Sequence, residues 1–224
     1  DTFTLDYAVG VNGSLTGDPA QVVNYGADGT AVTAVPDLGY HFVDWSDAST
    51  DNPRTDVSVV ANLSVTANFA IDTHTVTFIE GANGTITGTL VQVIDYGDDC
   101  TAVTPVANAN HHFVDWTGDY AGTDDPLTIT NVTADMVITA NFAIDTYTVT
   151  FIEGANGTIT GTLVQTIDHG NDCTAVDPVA NANHNFVDWT GDYAGTDDPL
   201  TITNVTADMN ITANFAIDTF TLDY

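Results

Sequence analysis

Asp115, Asp119, Asp124 and Asp125 surround Trp116, and Asp188, Asp192, Asp197 and Asp198 surround Trp189 at the same offsets. Carboxylates gathered in this way carry enough oxygen for calcium, which takes about six to eight oxygen ligands from flexible loops. The spacing is not that of an EF-hand, and a third, shortened stretch keeps only Asp44, Asp47, Asp51 and Asn52 around Trp45. Aspartate before proline is also an ordinary turn former. The two quartets therefore read either as calcium ligands or, in the commoner use, as solvated turn residues. No other cofactor is expected.

Cys100 and Cys173 stand at one position in successive stretches, where the earlier stretch has Gly29. A disulfide needs Cα atoms within about 7 Å, and equivalent points on successive units of a linear array lie much farther apart, so an intrachain bond is not expected. The thiols are candidates for cross-links to a neighbouring chain; free or buried thiols are the commoner outcome. His41, His111, His112 and His184 begin Phe-x-x-Trp strands without a paired nucleophile, and His169 stands where Tyr25 and Tyr96 stand, marking an exposed or tolerant position. Trp45, Trp116 and Trp189 could stack on sugars, but one tryptophan at a fixed strand position in each unit favours a core anchor. No set of nucleophile, base and oxyanion donor emerges, so an enzyme is not expected.

These residues recur because the chain repeats itself. Copies begin at Asp1, Asp72 and Asp145, giving units 1–71, 72–144 and 145–217, and residues 218–224 spell residues 1–7 again. The second and third copies differ at seven aligned positions, whereas the first is more divergent and two residues shorter between Trp45 and Pro53. Near-identical tandem copies are the mark of a repeat architecture. The returning heptad reads as the opening strand of a following unit, continued by the same chain or completing a unit in a neighbouring copy by strand addition.

Thirty-one acidic residues against a single basic one, Arg54, leave a net charge of −30. Such a surface repels nucleic acid, whose binding depends on Lys and Arg, and anionic membranes; it suits salt-rich or calcium-containing surroundings. With no lysine there is no Lys side chain for an isopeptide cross-link or a Schiff base. No run of 18 apolar residues is present, so membrane insertion is not expected. Asn-x-Ser/Thr sequons at Asn12, Asn62, Asn83, Asn131, Asn156, Asn204 and Asn210 are candidate glycan acceptors, though chance supplies many in an Asn- and Thr-rich chain.

The elements that must carry these residues are short β-runs between turn signals, with no long helical period. In the second copy the runs are 75–78, 85–87, 90–96, 101–106, 112–117, 127–132 and 137–144, of which five or six are expected to be strands in each unit. Asn83-Gly84 between the first two reads as a hairpin turn. Alternation puts Ile138, Ala140, Phe142 and Ile144 inward, and Val23, Ile94 and Ile167 in the core with Val22, Val93 and Thr166 outward. Between units only three residues, 145–147, separate one strand pattern from the next. Without Gly, Ser or Pro runs the expected arrangement is a stiff linear string of beads.

The stretch from Phe113 to Ile129, with its Phe-Val-Asp-Trp-Thr-Gly core, and the closing Ile138-Thr139-Ala140-Asn141-Phe142 resemble the divergent internalin B-type repeat of bacterial and archaeal surface proteins. Phe42, Trp45 and Phe69, and Phe186, Trp189 and Phe215, carry the same resemblance in the other copies; Asp44, Asp115 and Asp188 before the tryptophans depart from it. The resemblance implies mostly β, β-grasp-like modules used in multiples outside the cell, with no catalytic residues. The expected function is a structural segment of an extracellular or cell-surface stalk or filament, partnered by itself head to tail. The alternative is a multivalent adhesin or carbohydrate-binding array.

Overall fold

Thr, Val and Ile dominate the runs, and their branched side chains favour a pleated backbone. In the computed structural model, which describes residues 1–220, each repeat forms six strands. The first holds β1 (Thr2–Val9), β2 (Gly13–Thr16), β3 (Ala20–Asn24), β4 (Thr33–Pro36), β5 (Tyr40–Trp45) and β6 (Leu63–Ile71). The second holds β7 (Thr73–Glu80), β8 (Gly84–Thr87), β9 (Val91–Asp95), β10 (Thr104–Ala107), β11 (His111–Gly118) and β12 (Met136–Ile144). The third holds β13 (Thr146–Glu153), β14 (Gly157–Thr160), β15 (Val164–Asp168), β16 (Asp177–Ala180), β17 (His184–Gly191) and β18 (Met209–Ile217). There is no helix among the described residues, and so none long and apolar enough to cross a membrane.

Four strands of each repeat make one sheet and two make another: β3-β1-β6-β5 with β2-β4, β9-β7-β12-β11 with β8-β10, and β15-β13-β18-β17 with β14-β16. The first and last strands of a repeat are neighbours at the centre of its larger sheet and run parallel. Their outer neighbours run antiparallel. By compactness the chain divides into two units, one of residues 1–81, 85–106 and 115–141, the other of residues 82–84, 107–114 and 142 onward. The first contains the first repeat and most of the second; the other contains the third repeat.

The parallel pair builds the core. In the first repeat Leu5 and Tyr7 of β1 lie beside Val65 and Ala67 of β6, and Trp45 closes over them, fully buried. Val149, Phe151, Ile211, Ala213 and Trp189 do the same in the third. An edge-to-face contact sets each tryptophan, with ring centroids 5.6 Å apart for Tyr7–Trp45 and 6.1 Å for both Phe78–Trp116 and Phe151–Trp189. The expected alternation holds: Ile138 and Ala140 are buried, Phe142 and Ile144 half-buried, and Val22, Val93 and Thr166 exposed.

Two local expectations are corrected. Asn12, Asn83 and Asn156 do adopt positive φ in Asn-Gly turns, at 69°, 68° and 71°. The strands they join, however, belong to different sheets, because both sides of β1, β7 and β13 are already occupied. The glycine serves packing as well: a Cβ on Gly13 would meet the Phe69 ring at 2.4 Å, and one on Gly157 the Phe215 ring at the same distance. Second, 127–132 is not a strand. Leu127, Ile129 and Val132 are buried and Leu127 bridges Val103, but Asn131 at φ 52° ends the extended run. The opening strand expected over 218–224 lies outside the described residues beyond 220; Asp218 N–H donates to the Asn183 carbonyl at 2.9 Å.

A buried polar residue escaped the pattern reading. Gln21, Gln92 and Gln165 occupy inward positions of β3, β9 and β15 and are almost fully buried. Gln165 Nε2 donates to the Thr162 and Thr174 carbonyls at 3.0 and 2.9 Å, while its Oε1 accepts the Thr174 N–H at 2.7 Å. The side chain thus satisfies backbone groups of a loop that no strand pairs. Its signal was identity at one aligned position in all three copies. Gln165→Ala leaves these groups unpaired and is expected to lower the third repeat's stability by about 2 kcal/mol, read as a lowered urea midpoint at unchanged slope.

Candidate functional site

Each Asp quartet is distributed over the loop that follows its tryptophan and the strand that carries it. Asp115 Oδ1 accepts from Asn141 Nδ2 at 2.8 Å, and Asp188 from Asn214 at 2.9 Å, tying neighbouring strands together. Asp119 Oδ2 accepts the Val137 N–H and Asp192 Oδ2 the Asn210 N–H, both at 2.7 Å. Through their main-chain carbonyls Asp124 and Asp197 accept the Trp116 and Trp189 indole N–H at 2.8 Å, and their carboxylates take the hydroxyls of Tyr120 and Tyr193. Those hydrogen bonds raise both phenol pKa values. Asp125 and Asp198 are exposed and precede cis prolines. Among the described residues no three His, Cys, Asp or Glu side chains gather so as to hold a metal ion.

This use of aspartate extends beyond the quartets. Asp135 Oδ1 accepts the Thr75 N–H at 2.9 Å, Asp208 Oδ1 the Thr148 N–H at 2.8 Å, and Asn62 Oδ1 the Thr4 N–H at 2.9 Å in the first repeat. Asp28, Asp99 and Asp172 likewise cap Ser58, Asn131 and Asn204. Short acceptor side chains satisfy N–H groups where the ladders stop, so much of the acidity has a local structural use.

Cys100 and Cys173 are free and buried, and burial pushes both thiols up in pKa. Cys173 Sγ accepts the Ile202 N–H at 3.1 Å. The histidines are spread out: His41 Nδ1 meets Asp72 Oδ1 at 2.7 Å, His112 meets Asp145 at 2.9 Å, and His111 and His184 face the carbonyls of Ala109 and Ala182. His169 does not occupy a merely tolerant position. Its ring packs at a tilt on Tyr147 with centroids 5.8 Å apart, whereas in the preceding repeat His74 packs in the same way on Tyr96 at 6.1 Å, so the two residue types have exchanged places across one contact.

A polar cluster inside the first repeat is the feature sequence reading missed. Arg54, the lone basic residue, is buried where the other copies have Leu127 and Leu200. Its guanidinium lies 5.7 Å from the Trp45 ring centroid, binds both Asp47 oxygens at 2.8 Å, and binds Asp56 at 2.8 and 2.9 Å. Tyr7 donates its hydroxyl to Asp56 at 2.7 Å. Aligned positions hold Phe78, Leu127 and Ile129, so Tyr7, Arg54 and Asp56 replace an apolar triad as a set. Hydrogen bonds from Arg54 hold Asp47 and Asp56 below the usual carboxylate range and raise the arginine; burial, then the bond to Asp56, raises Tyr7. Every charged group in the cluster is matched by a partner inside it. The signal available in the sequence was the coincidence of three polar residues in one copy.

Shallow clefts recur at one place in two repeats, lined by Asp56 to Leu63 with Leu5, and by Ile202 to Met209 with Asp192. They are walled mainly by a single loop each. The family model of the divergent InlB B-repeat domain matches residues 3–73, 74–146 and 147–219. No curated protein matches the chain.

Single and combined substitutions separate the cluster's parts. Arg54→Leu strands two carboxylates and is expected to destabilise the first repeat by about 2 kcal/mol, less than the roughly 3–5 kcal/mol of a fully buried pair because Asp47 is partly exposed. Tyr7→Phe, Arg54→Leu and Asp56→Ile together restore the apolar triad and should be neutral or stabilising. Because the two carboxyls are depressed in the folded state, their contribution is complete above about pH 4 and is lost as pH falls through the lowered values. Thermal denaturation should therefore show the triple variant gaining on the parent below about pH 4.

Proposed function

Because this chain belongs to the divergent InlB B-repeat family, whose tandem copies characterise bacterial surface proteins and are typically non-catalytic, we propose that it is a structural spacer. In this reading it is a segment of an extracellular stalk or filament that holds something away from the cell and performs no reaction. One observation carries the reading: successive repeats are joined without a linker. β6 ends at Ile71 and β7 begins at Thr73; β12 ends at Ile144 and β13 begins at Thr146.

Each intervening aspartate is held at three points. Asp72 donates its N–H to the Gly39 carbonyl at 2.8 Å, binds His41 through its carboxylate, and accepts the Tyr96 N–H at 2.8 Å. Asp145 repeats the pattern with Asn110, His112 and His169, at 2.9 Å for the first two and 2.8 Å for the last. At the first junction the Tyr96 ring lies against Gly39, where a Cβ would come within 2.3 Å, so a residue of the second repeat packs directly on the first. A joint made of backbone hydrogen bonds and ring packing restricts motion more than a Gly/Ser tether does.

The fully buried tryptophans offer no stacking surface, which favours a spacer over a sugar-binding array. Head-to-tail association with further copies, through a strand supplied by residues 218–224, remains part of the reading. Asn62, Asn83, Asn131, Asn156, Asn204 and Asn210 are exposed sequon asparagines and are the proposed glycan acceptors.

Small-angle scattering on the chain and on a tandem duplication of residues 1–217 tests the spacer. The maximum dimension should grow linearly, by roughly 35–40 Å per repeat at about 3.3 Å per strand residue; a particle whose dimension grows only as the cube root of its mass would rule it out. For the assembly, deletion of residues 218–224 should abolish any filaments seen by electron microscopy, and their persistence would exclude strand donation.

A further inference from the structure

The parallel pairing determines where a pull along the chain enters and leaves each repeat. β1 pairs β6 from Leu5↔Leu63 to Val9↔Ala67, β7 pairs β12 from Val76↔Met136 to Glu80↔Ala140, and β13 pairs β18 from Val149↔Met209 to Glu153↔Ala213. In all three, the first strand starts three residues before the ladder and the last strand runs four residues past it. Entry and exit are therefore separated by about eleven residue steps along the strands, roughly 36 Å, but by only about 4.8 Å across them. The line joining them lies within about 10° of the strand direction.

From this we infer that each repeat is a mechanical clamp, a load-bearing element whose central ladder is sheared rather than unzipped when the chain is stretched. Under shear the five residue pairs share the load and must slip together, whereas a perpendicular pull breaks them one after another. Three further features favour resistance. Neither strand of the pair is an edge, since antiparallel strands flank both sides. Leu5, Val65 and Ala67 in the first repeat, and Val149, Ile211 and Ala213 in the third, are buried along the ladder, so water does not reach its inner face to exchange hydrogen bonds. In the first repeat Gly10 N–H prolongs the ladder to the Ala67 carbonyl at 2.9 Å. The inference deepens the spacer reading and rests on it only for the source of the load; resistance itself belongs to the ladder.

Single-molecule pulling on the full chain tests it by direction. Handles at the two chain ends load every repeat along its strands. In the third repeat, Thr146→Cys with Ala207→Cys places handles side by side at one end of the ladder, because Ala207 lies two residues before Met209, the partner of Val149, and Thr146 three before Val149. Thr73→Cys with Ala134→Cys does the same in the second repeat. All four sites are exposed, and the native Cys100 and Cys173 are buried away from the coupling reagent. An unchanged denaturation midpoint establishes that each variant is folded, and the two pairs serve as independent replicates. End-to-end rupture forces should exceed side-by-side forces by at least about twofold at equal loading rate, as expected when unfolding is rate-governed and pairs break jointly. Equal or lower end-to-end forces would overturn the clamp. A resistant chain that scatters as a compact particle would keep the clamp and remove the spacer; a weak ladder in an extended array would do the reverse.

Discussion

The pairing of a repeat's first strand with its last is the constraint on which everything else here depends. Until β6 returns to β1 there is no centre to the sheet, no second wall for Leu5 and Tyr7, and no floor for Trp45. Once it has returned, β3 and β5 have defined edges to join, and the loop carrying Asp51 is drawn in to accept the indole N–H at 2.9 Å. The contact is almost as long-range as the repeat allows, and its loop-closure entropy must be met before most native contacts can form. The same geometry leaves the chain's entry and exit at opposite ends of one strand pair, so architecture and response to load have a common origin.

Around this constant frame the chain solves its core in two ways. The second and third repeats cover the tryptophan with leucine and isoleucine, while the first does so with an arginine held between two carboxylates, one of which also accepts a tyrosine hydroxyl. Burying a charge is tolerable only when it is fully paired, which is why the three residues differ as a group. The His74/Tyr96 and Tyr147/His169 exchange follows the same logic on a smaller scale, conserving a ring contact while swapping its members. Near-identical copies in one chain thus act as an internal record of which contacts tolerate change singly and which change only together.

Acidity, the most visible property of the composition, is also less a single feature than it looks. Many carboxylates accept N–H groups at the ends of ladders, where a β-rich fold of short strands has many donors to satisfy. Others are exposed and keep the surface uniformly negative. A short acceptor on a rigid strand end holds its geometry at less entropic cost than a longer side chain.

Period, strand content and the inward face of the third and last strands of a repeat were legible in the amino-acid sequence, because repetition and period-two alternation are local properties. The tryptophan's core role could be read the same way, from one residue at one place per unit. Tertiary structure alone decided which strands are partners. The Asn-Gly turns look like hairpins in sequence, yet they carry the chain between sheets, since the partners of β1, β7 and β13 arrive from farther along the chain. It likewise decided that Leu127 to Val132 is buried loop rather than strand, that each quartet of aspartates is spread over separate structural tasks, and that Arg54 lies inside. Each of these depends on which distant segment supplies the missing wall or partner, and no local pattern encodes that.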